Sequence, residues 1–151
     1  MTIELGQSAP AFTVETTEGP RSLEQLLADG PLVLVFYTED STPLCTTQLR
    51  GFRDEFETIR ELSAHVLGVS SDDLASHERF AEAERLGFPL AVDTSLELAR
   101  RYEVLSDDGR RSRRAVFVIA SDGTIVGANA HYQPQDMTQF AEVFSALGLE
   151  L

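Results

Sequence analysis

Cys45 is the only cysteine of the chain, in the run Thr42-Pro43-Leu44-Cys45, directly after the apolar stretch Pro31–Tyr37. Thr42 suits a helix N-cap, and Pro43 suits the first helical position, where a missing backbone N–H costs nothing. Cys45 then falls in the first turn, three residues past the cap. Unpaired backbone N–H groups and the positive end of the helix dipole lie beside it there. Such a setting favours thiolate over thiol and pulls the pKa below the free value of about 8.5. The chemistry to expect is nucleophilic and redox chemistry at one activated sulfur.

The elements that must hold this sulfur alternate along the chain. Phe12–Thr16 and a turn around Glu18-Gly19-Pro20 predict an N-terminal hairpin-like segment. Ser22 and Gln25 form a capping-box pattern for a short helix ending near Asp29-Gly30. A buried strand over 31–37 leads into a helix from Pro43 to about Ser63. That helix has Cys45, Leu49, Phe52, Phe56 and Ile59 at core-facing spacing, which turns the sulfur inward. Further strands are expected over 65–70 and 89–92, with helices over 74–86 and from Ser95 to Tyr102. Phe80 and Leu86 should face inward. Ala115–Ile119 and Thr124–Val126, joined through Ser121-Asp122-Gly123, read as a hairpin. A last helix is expected from about Gln135 to Leu147, stopping at Gly148. This order predicts an α/β fold, a central mixed sheet flanked by helices, in one domain over 1–151.

Composition narrows the partners. The formal net charge is −13, from 25 acidic and 12 basic residues, all the basic ones arginine. Such a balance argues against binding nucleic acid, since phosphate contacts need a basic surface. The longest apolar run is about seven residues, against roughly 20 needed to cross a bilayer. No signal-peptide pattern opens the chain, and one unpaired cysteine suits a reducing compartment, so a cytoplasmic location is expected. His65, His77 and His131 share no ligand spacing with each other or with Cys45, and no metal site is expected.

The chain resembles the peroxiredoxins, nearest to the bacterioferritin-comigratory-protein type. Gly6–Phe12 is similar to the family's opening, and Phe36-Tyr37 followed by Thr42–Gln48 is similar to its peroxidatic motif. Gly51–Asp54 continues the likeness along the helix, and Arg114, three residues before Phe117, stands where the family keeps an arginine over the sulfur. The resemblance implies a thioredoxin-like fold and a thiol-dependent peroxidase without a cofactor. Cys45 would be the nucleophile, Thr42 would hydrogen-bond sulfur and peroxide, and Arg114 would stabilise the leaving oxygen. Backbone N–H groups at residues 44 and 45 are further candidate donors. Gln48 would play a supporting part, orienting Arg114 or another polar group. The product would be a sulfenic acid.

The chain departs from the family pattern in two respects. Thr38 stands where the family usually has a proline that shields the sulfur, and Arg50 where a resolving cysteine is often found. Ala99 fills another place where some relatives carry a cysteine. The resemblance therefore implies a one-cysteine mechanism, with hydrogen peroxide or a small organic hydroperoxide as substrate. An external thiol would be the reductant: a thioredoxin, a glutaredoxin or a low-molecular-weight thiol. A monomer or a homodimer is expected. Gln48 three residues after Cys45 excludes a Cys-x-x-Cys oxidoreductase, a copper carrier would need a second cysteine, and the glutathione-peroxidase tryptophan is missing. The alternative class is a redox-sensing or interaction module that keeps fold and sulfur without turnover.

Overall fold

Residues 32–36 contain no polar side chain, so the strand they form must be covered on both faces, which places it inside a sheet. The computed structural model describes residues 3–148. Along it run β1 (Thr13–Val14), β2 (Arg21–Ser22), α1 (Leu23–Leu27), β3 (Leu32–Phe36), α2 (Pro43–Asp54), α3 (Phe56–Glu61), β4 (His65–Ser70), α4 (Leu74–Glu84), β5 (Leu90–Val92), α5 (Glu97–Arg101), β6 (Ala115–Ile119), β7 (Ile125–Asn129) and α6 (Met137–Ala146). The main sheet has the order β5-β4-β3-β6-β7. β3, β4 and β5 are parallel, whereas β6 and β7 add antiparallel.

Strand alternation sends residues to two cores. Leu32, Leu34 and Phe36 of β3 face α1 and α5, packing with Leu23, Leu98 and Tyr102. Val33, Val35 and Tyr37 face α2, α3, α4 and α6, packing with Cys45, Phe52, Ile59, Phe80 and Phe144. The mixed sheet with helices on both faces is the architecture expected from the sequence. The hairpin-like segment is there too, as the short pair β1 and β2 with Thr13 opposite Ser22. Its turn reaches the edge strand β5, where Thr17 N–H donates to the Leu90 carbonyl at 3.0 Å and Val92 N–H to the Glu15 carbonyl at 2.8 Å. An otherwise open edge is thereby covered.

The single helix expected over 43–63 is two. It breaks at Glu55, whose φ of −101° and ψ of 15° leave the helical region. Packing gives the reason. Phe52 stacks with Tyr132 and Phe140, whereas Phe56 stacks with Phe88 elsewhere on the core. In one straight helix residues four apart share a face, so the break lets the two rings diverge. The helix expected from Ser95 starts later, at Glu97, because Asp93 caps it. The Asp93 carboxylate accepts from the Leu98 and Ala99 N–H groups at 2.9 and 3.0 Å. The last strand runs on to Asn129, beyond the expected Val126.

Candidate active site

The register of the sheet builds the site. Phe36 pairs with Ala115 across the antiparallel ladder, so Arg114, one step outward, sits opposite Tyr37. Ser112 reinforces the juxtaposition by donating to the Tyr37 carbonyl at 2.8 Å. The chain then leaves β3, crosses residues 38–42 and enters α2 at Pro43, which carries Cys45 back under the same strand end. Cys45 is fully buried.

Two of the site residues expected from sequence, Thr38 and Arg114, contact the sulfur of Cys45. Arg114 Nη2 donates to Cys45 Sγ at 3.3 Å. Thr38 Oγ1 lies 3.0 Å from the same sulfur. Thr42 is the N-cap residue as expected, yet its hydroxyl does not cap the helix; it donates to the Glu39 carbonyl at 3.0 Å. The same hydroxyl also lies close enough to the sulfur to favour its ionised form. Gln48 lies inside the protein, 2% exposed, and its Nε2 donates to the Phe36 carbonyl at 3.1 Å. Its Oε1 and the Nε of Arg114, an acceptor and a donor, are buried without a partner among the described residues.

The electrostatics oppose one another at Cys45. Burial alone pushes the thiol up. Hydrogen bonds from the Thr38 and Thr42 side chains and from the backbone of Glu39 and Thr38 outweigh it, and the pKa falls below the ordinary thiol value. The guanidinium of Arg114 adds a full positive charge at contact distance. These backbone donors belong to the loop before the helix. Arg113, the next arginine, points away and pairs with Asp107 at 2.9 Å.

A polar cluster that sequence reasoning missed lies beneath the loop. Asp40 accepts from the Tyr37 hydroxyl at 2.5 Å and the Ser76 hydroxyl at 2.8 Å, and its Oδ2 is 2.8 Å from His77 Nδ1. Burial first, and then the Asp40 charge, holds the Tyr37 phenol well above its ordinary range, so it remains a donor. The available signal was helical spacing, since His77 lies three residues from both Leu74 and the buried Phe80. Asp40, Asp72 and His77 place possible metal-ligand atoms within 4.8 Å of one another. A cation there would have to displace hydrogen bonds from Tyr37, Ser70 and Ser76, so the group reads as a hydrogen-bonded network.

The model of the AhpC/TSA family matches residues 5–128. A bcp-type peroxiredoxin of Coxiella burnetii is 34% identical over 131 residues, covering 83% of this chain and 87% of that one. Chloroplastic peroxiredoxin Q of Populus jackii is 33% identical over 88% of this chain, which spans 63% of that longer protein. The crystal structure of peroxidoxin BcpB from Mycobacterium tuberculosis superposes with a TM-score of 0.87 at 28% identity, over 97% of each chain. The chain belongs to the AhpC/TSA family, with the thioredoxin-like fold of the peroxiredoxins. Within it the chain is of the bacterioferritin-comigratory type, a thiol-dependent peroxidase with a single cysteine. Among the described residues no helix is long and apolar enough to cross a membrane.

Proposed function

We propose that the enzyme reduces hydrogen peroxide and small organic hydroperoxides at Cys45. The thiolate attacks one peroxide oxygen, the O–O bond breaks, and hydroxide or alkoxide leaves. Cys45 becomes a sulfenic acid. Thr38 and Thr42 hold the sulfur ionised and in line, while Arg114 binds the oxygen that gathers charge. Gln48 Oε1 and Arg114 Nε supply an acceptor and a donor awaiting a partner, and leaving each unpaired costs about 1–3 kcal/mol. The observation that carries the reading is one sulfur within 3.0 Å of a hydroxyl and 3.3 Å of a guanidinium.

With one cysteine in the chain, the sulfenic acid has no intramolecular thiol to meet. A first external thiol displaces water to form a mixed disulfide. A second releases Cys45 and leaves with the oxidised donor. The donor is a thioredoxin, a glutaredoxin or a small thiol, and a reducing cytoplasm suits the cycle. One domain, working as a monomer or homodimer, suffices for it. Peroxide consumption measured with each donor class, beside Cys45→Ser, tests the reading. Catalytic turnover with at least one donor and none in the variant is expected; a single stoichiometric oxidation without turnover would favour the sensor alternative.

A further inference from the structure

We propose that Asp40 and His77 form a buried positioning pair for the reactive sulfur. They pin the loop of residues 38–42, and through it the Thr38 and Thr42 hydroxyls, in the positions these hold around Cys45. What the pair does for turnover rests on the peroxidase reading; its effect on thiol acidity stands apart from it.

Asp40 is the midpoint of that loop, and its fastenings come from three directions. Its carboxylate takes Tyr37 from the end of β3, and Ser76 and His77 from α4. Its backbone N–H donates to Asp72 Oδ2 at 2.9 Å, and that oxygen also accepts from Ser70 at the end of β4, at 2.5 Å. The loop is thus stitched to the β4–α4 junction by side chain and main chain alike. Ser41, the next residue, holds a left-handed φ of 63°, which a serine keeps only where its surroundings over-determine it. Thr38 lies two residues before Asp40 and Thr42 two after. A loop released at Asp40 would move both hydroxyls.

The protons of the pair follow from its partners. His77 is 0% exposed, and its Nε2 lies 2.9 Å from the Ala91 carbonyl, which only accepts, so Nε2 carries a hydrogen. The Tyr37 hydrogen is committed to Asp40 Oδ1. A lone pair on Nδ1 facing a carboxylate at 2.8 Å would be repulsive, so a proton lies between Nδ1 and Oδ2, on the ring or on the carboxyl. Either way the pair has no net charge. Removing one member leaves the other uncompensated in a buried site. The other titratable or charged groups facing the pair and the loop are Tyr37, Asp72 and Arg111, which pairs with Glu39 of the loop itself, and Arg114 faces the sulfur.

Alkylation of Cys45 by iodoacetamide as a function of pH reads the thiol pKa without peroxide, so it does not depend on peroxidase activity. His77→Gln can reach only one of the two acceptors, and its Cys45 pKa should rise by about one unit, about ten-fold less thiolate at acidic pH. Ser76→Ala removes a single fastening and should give a smaller rise in the same direction. It keeps the test alive if His77→Gln fails to fold. Because the pair acts through the hydroxyls, Thr38→Val combined with His77→Gln should shift the pKa by well under the sum of the two single shifts. An unchanged Cys45 pKa in folded His77→Gln or in Ser76→Ala overturns the proposal, as do strictly additive shifts. Unchanged acidity with reduced thermal stability would mean that the pair is merely part of the core.

Discussion

The Thr38 hydroxyl, 3.0 Å from the Cys45 sulfur, gives the thiolate a hydrogen-bond donor from the loop that precedes α2. Because the Cys45 pKa is lowered in the folded protein, the thiolate contributes stability that is fully present above the unfolded value of about 8.5. That contribution is lost as pH falls through the lower folded value. Reactivity should fade across the same acidic limb. Arg114→Ala removes the donor at 3.3 Å, and stopped-flow oxidation should slow by about a hundred-fold or more, with Arg114→Lys recovering only part of it. An unchanged rate would remove Arg114 from the account. The approach of Arg114 to Cys45 was legible only through the resemblance to the peroxiredoxins, not from spacing or composition. The Thr38 contact was not, since a missing proline says nothing about where the new hydroxyl points. Nor was the Asp40–His77 contact, which joins residues 37 apart in sequence through side chains alone.

Helix starts were the best-marked features among the elements. Ser22 and Gln25 make both bonds of the expected capping box, at 3.0 and 3.1 Å, and Pro43 opens α2. The break at Glu55 left no such mark, because it arises from where Phe52 and Phe56 find partners in the folded core. Asp93 shows a related limit. It caps α5 from outside the helix, across Leu96 at a left-handed φ of 61°, a geometry hidden from a search for a cap beside the first helical residue. Burial, partly offset by the Leu98 and Ala99 N–H groups, raises the Asp93 pKa. Protonation of the folded carboxyl therefore adds stability at low pH, and that increment disappears as pH rises through the folded value. Asp93→Ala leaves two buried amides without an acceptor, so urea unfolding at neutral pH should show a loss of about 1–3 kcal/mol. A loss below the error of the measurement would show that water replaces the carboxylate without cost.

Across the whole molecule, the parallel strands β3 and β4 deliver the loop of residues 38–42 and its fastenings at their carboxyl ends, while antiparallel β6 starts from Arg114 at the same rim. The mixed sheet with helices on its faces was readable from the alternation of strands and helices along the chain, and the burial of β3 from its continuous apolar run, whereas the strand order was not. One sulfur also dictates the fate of the oxidised enzyme: with no second cysteine in the chain, its sulfenic acid waits for a thiol from outside. The most direct measurement is mass spectrometry of the reduced protein after one equivalent of hydrogen peroxide, with and without a sulfenic-acid trap, repeated at large excess. One oxygen on Cys45, captured by the trap, and further oxidation to sulfinic acid at excess are expected. Cys45 persisting as an unmodified thiol after excess peroxide would contradict the account at its centre.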